Sequence, residues 1–104
     1  MIEVHMTWDF VPGVDRKGYG EWAKKAIGTT LQTPGLIEFR ANRNLCGSPQ
    51  VLVVTLWESM AAYGNFTENT WPALEVEVNA YAQNIHYVMW GPSPVVPQPL
   101  HPAK

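Results

Sequence analysis

A chain of 104 residues is one domain by length. It can bury a core with little to spare, so self-association would add to its stability. Seven basic residues against nine acidic ones give a net charge of −2. The densest positive spots are Lys24-Lys25 and Arg40/Arg43, which excludes the basic footprint of a nucleic-acid binder. No stretch approaches the roughly 20 apolar residues of a membrane-spanning helix.

Cys46 is the single cysteine, so neither an intrachain disulfide nor a cysteine-based zinc site can form. The missing disulfide framework points to a reducing compartment, the cytoplasm. Met1 to His5 alternates like a strand and has neither the basic start nor the apolar run of a signal peptide. Five tryptophans within an aromatic share of 12% call for a bulky core or a surface for a flat aromatic ligand.

From Ile2 to Phe10 the chain alternates. Ile2, Val4, Met6, Trp8 and Phe10 fall on one face, and Glu3, His5, Thr7 and Asp9 on the other, which predicts a strand. Pro12-Gly13 breaks it. Asp15 can cap a helix running to about Gln32, with Tyr19, Trp22, Ala23, Ala26, Ile27, Thr30 and Leu31 as its apolar stripe. Gly18, Gly20 and Gly28 weaken that helix, so packing must hold it.

Leu36 to Asn44 alternates as a second strand, and Leu45 to Pro49 makes a hairpin turn. The third strand, Val51 to Trp57, is apolar on both faces and needs cover on both. Ser59 is a suitable N-cap for a second helix from Met60 to about Phe66. The polar run Thr67 to Thr70 predicts a break, and Pro72 suits only the first turn of a renewed helix. Trp71, Leu74, Val78 and Tyr81 share one helical face, although Leu74, Val76 and Val78 also alternate as in a strand. Asn84 to Trp90 reads as a fourth strand. The five prolines from Pro92 to Pro102 forbid helix and sheet interior in the tail.

The order strand, helix, strand, strand, helix, strand is the ferredoxin-like βαββαβ arrangement. It predicts a four-stranded antiparallel sheet with two helices on one face, residues 1–91 forming the domain and 92–104 a Pro-rich tail. Thr33-Pro34-Gly35-Leu36-Ile37, the run Val53 to Ser59 ending Trp57-Glu58-Ser59, and Ala61-Ala62-Tyr63 carry a resemblance to the dimeric α/β-barrel superfamily. Within it the chain resembles the antibiotic-biosynthesis-monooxygenase-like proteins.

The resemblance implies a homodimer with a pocket between sheet and helices. It implies oxygenation of a polycyclic phenol without a bound cofactor, the substrate supplying the electrons after losing a proton. Haem-degrading relatives carry an iron-ligating His on the second helix; Met60 to Ala82 contains none.

Several residues are candidates for such a site. The first and fourth strands are neighbours in this order, so His5 and His86 could exchange a proton near neutral pH. The competing reading is two satisfied sheet histidines, and two His without a third ligand predict no metal site. Asp9 and Arg40 could act as base and anion clamp, or be surface charges. Trp57, Trp71 and Trp90 are candidate ligand walls and Tyr63 and Tyr81 candidate hydrogen-bond donors, against a plain core role. Trp8 and Trp22 belong to the core.

Three functional readings follow. One is a homodimeric, cofactor-free monooxygenase acting on an aromatic or enolisable small molecule. Another is a non-catalytic dimer that binds a small hydrophobic ligand. The third is a structural or interaction module in which the Pro-rich tail reaches a partner or crosses the dimer.

Overall fold

The structure, a computed structural model, describes residues 1–103. Its elements run β1 (Ile2–Phe10), α1 (Arg16–Leu31), β2 (Leu36–Arg43), β3 (Val51–Trp57), α2 (Met60–Asn69), α3 (Trp71–Val78) and β4 (Ala82–Trp90). The strands form one sheet in the order β2-β3-β1-β4 with every neighbouring pair antiparallel, the ferredoxin-like topology.

Local chemistry sets the boundaries. The Asp15 carboxylate accepts from Gly18 N at 3.0 Å and Ser59 Oγ from Ala62 N at 3.2 Å, satisfying N–H groups that a helix start leaves unpaired. The second helical segment is two helices, because Thr70 closes α2 and Pro72 begins α3. That settles Leu74, Val76 and Val78 as helical, with Leu74 and Val78 buried and Val76 exposed. The fourth strand starts two residues earlier than its sequence pattern suggests. A register shift between Thr7 and Asp9 lets β1 pair with Ala82 and Gln83, and Asn84 takes a positive φ of 55°. A second shift in β2, between Leu36 and Glu38, leaves Ile37 exposed.

All three helices cover the same face. Ile2, Val4, Met6 and Trp8 of β1 meet Trp22 and Ala26 of α1, Phe66 of α2, and Trp71, Leu74 and Val78 of α3 in one core. The other face carries Glu3, His5 and Thr7 beside Leu52, Val54 and Leu56, flanked by Arg40 on β2 and by His86, Val88 and Trp90 on β4. Val54 lies in register between His5 and Arg40 and is buried within the single chain, so only part of this face awaits cover. Beyond β4, residues 91–103 form no helix or strand, and Val95 and Leu100 are exposed.

Candidate functional site

The helix-side core divides into two halves. Under α2 and α3, aromatic side chains fill the space. Trp57 is 0% exposed and packs against Tyr63 and Phe66 with ring centroids 5.7 and 5.1 Å away. Phe66 in turn stacks on Trp71 at 6.3 Å. The polar atoms here are paired. Trp57 Nε1 donates to Thr55 Oγ1 at 2.8 Å, and Trp71 Nε1 donates to Glu75 at 2.8 Å and to the Tyr87 hydroxyl at 3.2 Å. Tyr87 donates its own proton to Glu75 at 2.7 Å. Burial, reinforced by that acceptor, pushes the Tyr87 phenol up to about 12.

Under α1 the packing is open. A cleft of about 120 Å³ lies between the helix and the β1, β2 and β3 strands. Trp8, Trp22, Ala23, Ala26, Phe39 and Val53 are among its lining residues, and its wall is overwhelmingly apolar. Trp8 is 3% exposed and Trp22 7%, with their rings edge to face at 6.2 Å. Neither indole N–H has a hydrogen-bond partner, and they are the two buried side-chain polar atoms left unpaired among the described residues. Burial pushes the Tyr19 phenol up. The Trp8 N–H lies near enough to temper that shift without closing a hydrogen bond. A buried donor left unmade costs roughly 1–3 kcal/mol, and both indoles belong to residues that line this cleft.

A wider space of about 500 Å³, the mouth, adjoins the cleft between the start of α1 and the β2–β3 hairpin. Tyr19 and Val51 line both spaces. Arg16 and Arg43 flank the mouth with Phe10, Asn44 and Gln50.

The residues singled out by sequence fall in several places. His5 hydrogen-bonds Glu3 at 2.6 Å and meets the Trp90 ring at 6.3 Å on the open face. His86 stands opposite Thr7, one pleat along, and no hydrogen bond joins the two histidines among the described residues. Asp9 and Arg40 do not meet. Asp9 accepts from Ser48 Oγ at 2.7 Å, Gln50 N at 3.0 Å and Asn84 at 3.3 Å, tying the hairpin to β1 and β4. The Ser48 and Asn84 bonds hold its carboxyl below the ordinary value. Arg40 pairs with Glu38 at 2.6 Å and lies 3.7 Å from Glu3.

Trp57, Tyr63 and Trp71 sit in the filled half. Tyr81 contacts Tyr19 at 6.0 Å, and Trp90 is 55% exposed on the open face. The donors that reasoning from sequence did not single out are Trp8 and Trp22. Their placement in the core is legible, but an unpaired N–H depends on what faces it across the fold. Among the described residues no cluster of three His, Cys, Asp or Glu could hold a metal ion, and α2 and α3 contain no His.

The chain matches no protein-family profile and no curated protein. Its fold does have solved counterparts. An antibiotic biosynthesis monooxygenase superposes with a TM-score of 0.75 at 16% identity, covering 90% of this chain and 100% of that one. SnoaB, a cofactor-independent oxygenase from Streptomyces nogalater, gives 0.75 at 7% identity over 93% of this chain and 97% of its own. The chain shares the ferredoxin-like fold of these proteins. A dimeric ferredoxin-like protein of unknown function from Thermobifida fusca also matches, at 0.73 and 11% identity over 86% of this chain and 88% of that one. At these identities the likeness speaks for the fold.

Proposed function

We propose that the chain is a cofactor-independent oxygenase for a small aromatic, enolisable molecule, held in the cleft under α1. The observation that carries this reading is that Trp8 and Trp22, whose buried indole N–H groups have no partner, both line an otherwise apolar cleft. A phenol or ketone oxygen is the acceptor they lack. A substrate that has lost a proton carries negative charge on that oxygen. Donors already fixed in a dry site stabilise it without reorganising.

Two such bonds to an anion, at roughly 1.5–3 kcal/mol each, would lower the substrate's pKa by about two to four units. The enolate then gives its electrons to dioxygen. For an activated ring methylene the balance is one dioxygen consumed, the two C–H bonds replaced by a C=O, and one water released. SnoaB, of the same fold, is a cofactor-independent oxygenase and lends support by analogy.

A cleft of about 120 Å³ is close to the ~150 Å³ that houses a benzene ring, so one ring enters and the rest of a polycyclic substrate extends into the mouth. One observation favours the second reading, a non-catalytic binder. Tyr19 is the one titratable group lining the cleft, and its raised phenol is a poor base. Oxygen uptake with an anthrone separates the two. The oxygenase reading expects uptake above the buffer rate, one labelled oxygen atom from ¹⁸O₂ in the quinone, and a clear slowing in Trp22→Phe. Saturable binding with no excess uptake would favour the binder.

Assembly belongs to the same proposal. The apolar residues of the open face, Leu52, Leu56, Val88 and Trp90, suit a second copy of the chain, as the dimeric Thermobifida protein illustrates. With the single cysteine Cys46 exposed and free, a reducing, cytoplasmic setting fits this reading.

A further inference from the structure

The mouth of the cleft is cationic in a chain whose net charge is −2. Arg16 opens α1 and Arg43 closes β2, so the fold brings two arginines from distant sequence positions to one rim. Among the described residues neither forms an ion pair, whereas Arg40, three residues from Arg43, has two carboxylates. Two acidic residues on the neighbouring segments have their own partners. Asp15 accepts from Gly18 N, and Asp9 accepts from Ser48, Gln50 and Asn84.

Arg16 is also placed by more than charge. Its guanidinium lies 4.9 Å over the Phe10 ring, and Phe10 meets Tyr19 edge to face at 4.8 Å. Tyr19 is a wall of both the mouth and the cleft. One face of the guanidinium is thus seated on an aromatic ladder that leads to the unpaired indoles.

We infer that the ligand of this site is an aromatic organic acid, its ring in the cleft under α1 and its carboxylate on Arg16 and Arg43 at the mouth. This rests on the cleft being a ligand site, as proposed above. An arginine fork matches a carboxylate in geometry as well as charge, and an amide of the same shape offers it no charge. The arginines therefore select among aromatic molecules of equal size and set which way round the ring enters.

The test is calorimetric titration of the full chain with 2-naphthoate and with 2-naphthamide, which share a ring system and differ in charge. Wild type, the double variant Arg16→Gln/Arg43→Gln and the cleft-filling variant Ala23→Leu are compared, with folding of each checked by circular dichroism. Both arginines are exposed, so their replacement leaves the core intact. The inference expects naphthoate to bind about tenfold or more tighter than naphthamide, a ratio in the range of a charge-assisted hydrogen bond. That preference should vanish in the double variant while naphthamide affinity holds, and Ala23→Leu should abolish both.

Equal affinities in wild type, or a preference that survives the double variant, would overturn the carboxylate assignment. If Ala23→Leu still blocks binding in that case, the cleft itself stands as the ligand site. Binding of neither probe, or binding that Ala23→Leu leaves untouched, would overturn the cleft reading and the carboxylate assignment with it.

Discussion

Gly35 joins α1 to β2 at a φ of +88°, where a residue with a side chain is strained. A Cβ built there would fall well inside contact distance of the Ala62 Cβ in the first turn of α2. The same turn is tied to the strands because Glu58 N donates to the Gly35 carbonyl at 2.9 Å. Gly35→Ala therefore combines two penalties. The left-handed conformation costs about 1–2 kcal/mol, and forcing a methyl into an occupied space about 1–3 kcal/mol. The expected loss is about 2–5 kcal/mol in urea unfolding, read from a lower midpoint at unchanged slope.

Ala62→Gly removes the methyl that the new Cβ would strike, at about 1 kcal/mol or less for a glycine in the first helical turn. In the double variant only the backbone strain remains, so the cycle should show a favourable coupling of about 1–3 kcal/mol. A Gly35→Ala protein within about 0.5 kcal/mol of wild type, or a cycle with no coupling, would refute this account of how α2 docks.

Three further outcomes are expected. The Tyr87 phenol, ordinarily at 10.0, is pushed up to about 12 by burial and by its bond to Glu75, so the fold prefers it neutral. Stability should therefore be full below pH 10 and fall as pH rises towards 12, and Tyr87→Phe should remove the latest step of the phenolate absorbance titration. Asp9 is held below its ordinary 3.8 by Ser48, then Asn84, so its contribution is present above that pH and lost as pH falls through the lowered value. Asp9→Asn should flatten that acid limb in pH-dependent denaturation and loosen the hairpin in hydrogen exchange. Trp90→Lys places a charge on the open face; if that face forms the proposed dimer, sedimentation should show wild type as a dimer and the variant as a monomer with the far-ultraviolet dichroism unchanged, and a dimer that persists would move the interface elsewhere.

The fold was legible because each element carries its own local signal. Ile2 to Phe10 alternates without a fault, Asp15 and Ser59 cap the helices they precede, and Pro72 marks the join of α2 and α3. The misplaced details sit at the two register shifts, where Ile37 turns outward and Ala82 and Gln83 join β4, and at the end of α2, which runs on through Thr67 to Asn69 where the polar run predicted a break. A shift of that kind depends on the partner strand and leaves no mark on the period. Within the candidate site, His5 beside Glu3 follows from strand spacing, since residues two apart share a face. Asp9 beside Ser48 does not, since a hairpin tip 39 residues away supplies the partner. The Trp8 and Trp22 side chains are recognisable as core, but the satisfaction of their N–H groups is a property of the whole fold.

The two halves of the core differ for a reason that bears on function. Under α2 and α3 the helices present Tyr63, Phe66, Trp71 and Leu74, and with Trp57 these large groups meet and close. Under α1 the residues turned to β2 and β3 include Ala23, Ala26 and Thr30, and across from them lie Ala41, Val51 and Val53. Small side chains on both walls cannot fill the gap that the neighbouring Trp8, Trp22 and Phe39 prop open. The same helix carries Gly20 and Gly28, where an added Cβ would meet nothing within 4 Å. A closed half supplies the stability that lets the other half stay open. The open half is also where the unpaired indoles of Trp8 and Trp22 lie, next to a space lined by Arg16 and Arg43, which form no ion pair among the described residues. If the cleft is the proposed ligand site, filling it with a single larger side chain on α1 should raise the urea midpoint while abolishing ligand binding, the stability–function trade expected of a space kept open for a ligand.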